Sequence, residues 1–329
     1  MAVAFAAGLV AAGCGAGQDP TIDLPSTSSP TPSTIAPAAT STTTTAAPAV
    51  RPATWVAIDR TGRLLVLSAE TGEVQRVLGE FDHPTECPQG DEPAAGCEWV
   101  VEVALSPDGA TVFYETCCEP APGNVYRVPV TGGEPELVVH GGFPAVDPGG
   151  TRLAVVELQW VAVQPLAGGP AERFADDEGA AVGFVHGMTW SPDGESIAFS
   201  VSDASAESLR LHVLRVGEAS DFGDARPVPQ PPADSWTLPV YRRDGLLFVA
   251  EQELLLDGRP TGPARGLVVD PRTGAVVEEF EYGGAVQSQH VDATGSHLLY
   301  TLHDGSVRWR SPDGASGVLA GDGYLAATW

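Results

Sequence analysis

Leu105-Ser106-Pro107-Asp108-Gly109-Ala110-Thr111-Val112-Phe113-Tyr114 comes back as Trp190-Ser191-Pro192-Asp193-Gly194-Glu195-Ser196-Ile197-Ala198-Phe199. Looser copies run Val146-Asp-Pro-Gly-Gly150, Tyr241-Arg-Arg-Asp-Gly245 and Val291-Asp-Ala-Thr-Gly295, each followed by apolar residues. Every copy is an apolar run, a tight polar turn and a second apolar run. Ser or Asp at the first turn position bonds the backbone, Pro sets φ, and Gly takes the left-handed position, so the phrase predicts a hairpin. Successive glycines stand 41, 44, 51 and 50 residues apart. A repeat of that length predicts propeller blades of four antiparallel strands.

A second kind of turn follows in most units: Ala69-Glu-Thr-Gly72, Val130-Thr-Gly-Gly133, Leu166-Ala-Gly-Gly169, Pro271-Arg-Thr-Gly274 and Ser311-Pro-Asp-Gly314. It is expected to join the third and fourth strands of a blade. The unit from Ala206 to Val228 has no clean copy, which leaves its outer strands the least defined. The opening unit has three strands, Trp55–Ile58, Arg63–Leu67 and Glu73–Leu78, while the chain ends in a lone apolar run, Gly323–Trp329. That run has the pattern of the strand before Ser191, with Trp329 in the place of Trp190. It is expected to complete the first blade and close a ring of six. Reading Gly62 as one more hairpin glycine gives seven units instead.

Ahead of the repeats the texture differs. Residues 1–13 are small and apolar and end in Ala11-Ala12-Gly13-Cys14, the pattern of a secretory signal. The ending resembles the lipobox of bacterial lipoproteins, and that resemblance implies a lipid on Cys14. It departs from the pattern in having Ala11 where Leu is commoner and no basic residue before the apolar run. Residues 14–53 are Ser, Thr, Pro and Ala-rich and lack the apolar residues that offset ordering entropy, so they read as a disordered tether. Extended at about 3.1 Å per residue, it would reach on the order of 100 Å. Residues 54–329 form the repeat domain. The expected location is the cell envelope, on the outer face of the cytoplasmic membrane.

The Ser-Pro-Asp-Gly hairpins resemble the WD40-like repeats of TolB-type six-bladed propellers over about 275 residues. The resemblance implies an all-β ring that binds envelope partners without catalysis. The tether stands here where TolB-type proteins carry a small α/β domain.

Composition narrows the chemistry. The formal charge is −26, which disfavours nucleic acid and anionic membrane surfaces. All 17 basic residues are Arg; without Lys there is no Walker A loop, Schiff-base lysine or Ser-Lys dyad. No Gly-x-Ser-x-Gly elbow accompanies the His140-Gly-Gly-Phe143 stretch, which is similar to an oxyanion-hole loop. The repeated turn residues Asp108, Asp193 and Asp313 read as backbone staples rather than catalytic groups.

Two constellations remain. Cys87, Cys97, Cys117 and Cys118 lie in an exported context that permits disulfides. Placing Leu105 opposite Ala110 brings Cys97 opposite Cys118, leaving Cys87 and Cys117 to pair. Zinc on all four is the alternative, although no CxxC spacing supports it. His186 and His290 are expected on innermost strands beside the channel, and the face carrying the long loops is acidic, with Asp176, Asp177 and Glu178. The reading is a binding or scaffolding module without cofactor or metal, taking an envelope protein or cell-wall component. The alternative is a metal-dependent lactonase or hydrolase with a channel site.

Overall fold

The computed structural model describes residues 51–81, 99–117, 123–157, 160–174, 185–202, 209–231, 235–253, 260 and 262–329, apart from the side chains of Trp99, Cys117 and His186. The chain divides at Ala47/Pro48, and all described residues belong to the second unit.

Blade 1 contains β1 (Thr54–Asp59), β2 (Arg63–Ser68) and β3 (Val74–Glu80). Blade 2 contains β4 (Trp99–Leu105), β5 (Thr111–Cys117), β6 (Asn124–Pro129) and β7 (Glu136–His140). Blade 3 is β8 (Gly142–Val146), β9 (Arg152–Glu157), β10 (Trp160–Pro165) and β11 (Glu172–Phe174). Blade 4 is β12 (Val185–Trp190), β13 (Ser196–Ser202), β14 (Leu209–Arg215) and β15 (Arg226–Pro227). Blade 5 is β16 (Trp236–Tyr241), β17 (Leu247–Glu251), β18 (Arg265–Val269) and β19 (Val276–Glu281). Blade 6 is β20 (Val286–Val291), β21 (Leu298–Leu302), β22 (Val307–Arg310) and β23 (Ser316–Ala320). The last strand, β24 (Tyr324–Thr328), pairs with β1 as the inner strand of blade 1, with Ala57 opposite Ala327 and Val56 opposite Thr328. The innermost strands then follow one another around the ring, β24, β4, β8, β12, β16, β20 and back to β24.

The ring has six blades. Gly62, the residue that would have opened a seventh unit, instead closes the turn between β1 and β2 with φ of 84°. The five hairpin glycines all take positive φ, from 65° at Gly295 to 81° at Gly245, and each N–H returns to the carbonyl three residues back. The carboxylate of Asp108 accepts from the Ser106 hydroxyl at 2.6 Å and the Ala110 N–H at 3.0 Å, and Asp193 does the same with Ser191 and Glu195. Those bonds hold the Asp108, Asp193 and Asp313 carboxyls below the usual carboxylate range, which suits a staple and not a base.

Packing explains why the strands read as nearly continuous apolar runs. Side chains alternate between the two faces of a strand. In β1, Val56 and Ile58 pack toward blade 2, while Trp55 and Ala57 pack toward blade 6. Each of six apolar clusters fills the seam between two neighbouring blades. Both faces of a blade are therefore core. Among the described residues the exposed large apolar side chains, such as Val277 and Val318, stand on outer strands. The poorly defined outer edge of the fourth unit is a two-residue strand, preceded by a short 3-10 turn at Phe222–Asp224. The run Arg226-Pro-Val-Pro-Gln-Pro-Pro232 lacks the N–H groups needed for a longer ladder.

One expected register differs. The Ser106 hydroxyl accepts the Thr111 N–H, which widens the turn, and Leu105 pairs with Val112 instead of Ala110. A shift between Val100 and Glu102 then sets Trp99 opposite Cys117.

The candidate site at the inner strands

The six inner strands carry one formally charged residue, Glu102 on β4, and two histidines, His186 on β12 and His290 on β20. His290 and Glu102 meet: His290 Nε2 lies 3.0 Å from Glu102 Oε1. Blades 6 and 2 are not neighbours, so this bond joins the inner strands on either side of blade 1. Glu102 is also held from its own strand, accepting the Val103 N–H at 3.1 Å. Their side chains retain 21% and 15% of their exposure, so the pair is shielded yet reachable. Position 186 stands on β12 as expected, and its side chain lies outside the described residues.

Every inner strand is irregular at its entry. Register shifts occur between Val100 and Glu102, Gly142 and Ala145, His186 and Met188, Thr237 and Val240, and Val286 and Ser288, and opposite Ile58/Asp59 on β24. Such bulges free backbone groups from the ladder and re-aim them. Phe143 and Leu238, each followed by proline, take the left-handed conformation at φ of 53° and 50°. That conformation is costly for bulky residues, and surrounding bonds must hold it.

Those bonds come from side chains of the adjoining blades. Glu115 on β5 accepts the Phe143 N–H through Oε2 at 2.7 Å, across the seam between blades 2 and 3. Gln252, just after β17, mimics a strand for Val286 of blade 6, accepting its N–H at 3.1 Å and donating to its carbonyl at 3.0 Å. Gln289 on β20 donates to the carbonyl of Leu238 in blade 5 and accepts from the Tyr282 hydroxyl. Glu115 is nearly out of contact with water, and burial pushes its carboxyl up to about 7 against the opposing pull of the Phe143 N–H; the charge on Glu102 adds to the rise.

The other sequence candidates fall elsewhere. Cys87, Cys97 and Cys118 lie outside the described residues, as do Asp176, Asp177 and Glu178; of Cys117 only the backbone is described. Among the described residues no three His, Cys, Asp or Glu side chains gather in a metal-holding group. Glu102 and Glu115 were not singled out by sequence reasoning. The signal was present in Glu102, an isolated carboxylate in an otherwise apolar inner strand. Glu115 carried none, since its partner comes from another blade.

No protein-family model matches the sequence, and no curated protein does either. Solved structures do match. A chain in a crystal structure of a nidogen/laminin complex superposes with a TM-score of 0.58 at 14% identity, covering 84% of this chain and 97% of that one. TolB from Acinetobacter baumannii gives 0.59 at 15% identity, covering 83% of this chain and 65% of its own. The fold is a TolB-like six-bladed propeller. A putative TolB from Agrobacterium tumefaciens gives 0.50 at 18% identity, with 80% and 83% covered. At these identities the propeller shares architecture with its neighbours, and its inner-strand site has to be read from its own residues.

Proposed function

We propose that this chain is an exported, lipid-anchored propeller that binds another envelope protein or cell-wall component without catalysis. In this reading residues 1–13 are a lipoprotein signal, Cys14 carries the lipid, and residues 14–53 are the tether that holds the ring away from the membrane. The observation carrying the binding role is the unlike pair of faces. One face has the four-residue hairpin turns, whereas the connections spanning residues 81–98 and 252–264 both leave from the other. Long connections on a rigid scaffold are where recognition concentrates. Glu102 with His290 supplies a polar pair among the inner strands.

Affinity capture from solubilised envelopes, with the full chain as bait, tests the reading. One defined partner is expected, with recovery at least tenfold lower for Glu102→Gln/His290→Ala while the melting temperature stays within a few degrees. A protein that captures nothing but hydrolyses lactones or esters in a chelator-sensitive way would replace this reading with the enzymatic one.

A further inference from the structure

The three side-chain contacts described above share a setting: each bonds backbone groups at or beside an inner-strand bulge. At two of them the side chain is an amide, Gln252 or Gln289, and titrates nowhere. At the third it is Glu115. We propose that Glu115 is a proton-controlled latch between blades 2 and 3, which is shut when its carboxyl is neutral and loosens the entry of β8 when the carboxyl ionises.

The seat is built around the carboxyl group. Pro144 has no N–H, and β8 leaves the ladder between Gly142 and Ala145, so the Phe143 N–H has Glu115 as its acceptor. A Cβ at Gly142 would stand 2.5 Å from Glu115 Oε1. One at Gly123 would stand 2.9 Å from the same oxygen and 2.7 Å from the Thr116 carbonyl. Both positions leave space only for hydrogen, and the Gly141 N–H bonds the Gly123 carbonyl at 2.6 Å beside them. The entry of β8 is thus pinned to blade 2 by two short bonds, one backbone at Gly141 and one through the carboxyl.

The surrounding groups set the direction. The charged group facing Glu115 is Glu102 on β4, which is tied to His290 on β20. Strand β8 offers only the Phe143 N–H and apolar or glycine residues. On β6 the opposing residue is Val125, and His140 on β7 is turned to Asn124 at 2.7 Å. Among the described residues no Arg answers an ionised Glu115 in that seat. Ionisation therefore places a second negative charge beside Glu102 in a site with little water. The low-cost response is to let water in by releasing the start of β8, since a buried unpaired charge is far less tolerable than a hydrated one.

Hydrogen exchange of the intact protein, read by mass spectrometry on fragments covering 142–146 and corrected for the intrinsic pH dependence of exchange, tests the latch. Protection there is expected to fall at least tenfold between pH 5.5 and pH 8.5, with fragments around the hairpin 191–196 unchanged. Glu115→Gln, an amide like its two counterparts between blades 5 and 6, is expected to stay protected at both pH values. Glu102→Gln removes the neighbouring charge and is expected to move the wild-type midpoint to lower pH. Constant protection in the wild type would overturn the proposal, as would an unchanged pH dependence in Glu115→Gln. If Glu115→Gln does not fold, the wild-type profile and the Glu102→Gln midpoint decide: a midpoint that stays in place overturns it.

Discussion

At Glu115 a single side chain couples local chemistry to the stability of the ring. Its folded-state pKa, about 7, lies above the ordinary carboxylate value of 4.5. The folded protein therefore binds the extra proton in that window, and its contribution is complete below pH 4.5 and is lost as pH rises through about 7. A shift of this size corresponds to on the order of 3 kcal/mol. Glu115→Gln keeps the acceptor for Phe143 but does not titrate. In urea denaturation its stability relative to wild type should rise by that order between pH 4 and pH 8.5. A difference independent of pH would show that Glu115 ionises as readily folded as unfolded. Comparing the two proteins removes the opposite slope from carboxylates held low, such as Asp59 with Arg63 and Thr61.

Among the elements, β24 bears on the whole ring. Trp329 directly follows it and packs into the seam with blade 6, 4% exposed, donating its indole N–H to the His297 carbonyl at 3.1 Å. Trp190 does the same in the seam between blades 3 and 4, donating to the Ala145 carbonyl at 2.9 Å beneath the Arg152 guanidinium. The two tryptophans end equivalent inner strands, one before a hairpin turn and the other at the break in blade 1. Trp329→Ala should cost about 3–5 kcal/mol, as large aromatic truncations in cores do. Deleting residues 323–329 should cost more, because β1 loses one of its two ladders and two seams lose Ala326 and Ala327. Thermal melts of both variants check this; a deletion that melts like wild type would mean that blade 1 stands on three strands.

For the whole molecule, a closed ring has no seam left unfilled, so the surface is left to outer strands, turns and connections. In the proposed function the location of that ring is a separate matter and rests on Cys14. Cys14→Ser should move the protein from the membrane to the soluble fraction while its melting curve stays as in wild type, because the buried residues of the six apolar clusters run from Trp55 onward. Detergent phase partitioning measures it. Partitioning equal to that of wild type would remove the lipid anchor from the proposed function.

The blade repeat, the two kinds of turn and the closing role of Gly323–Trp329 were legible in the sequence because they rest on local chemistry. Gly at positive φ, Pro and Asp in the turn and alternating apolar residues act within a few positions of one another. The hairpin register was misplaced by two residues because it depends on where the Ser106 hydroxyl bonds, and either acceptor pattern reads the same in one dimension. The bulges of the inner strands left no mark apart from Phe143-Pro144 and Leu238-Pro239. Whether Glu102 meets His290, 188 positions away, or Glu115 meets Phe143 depends on how the blades are set around the ring. Local propensity gives each blade its shape. Which carboxylate ends in a dry seam, and which in reach of a histidine, is decided only when six blades pack face to face.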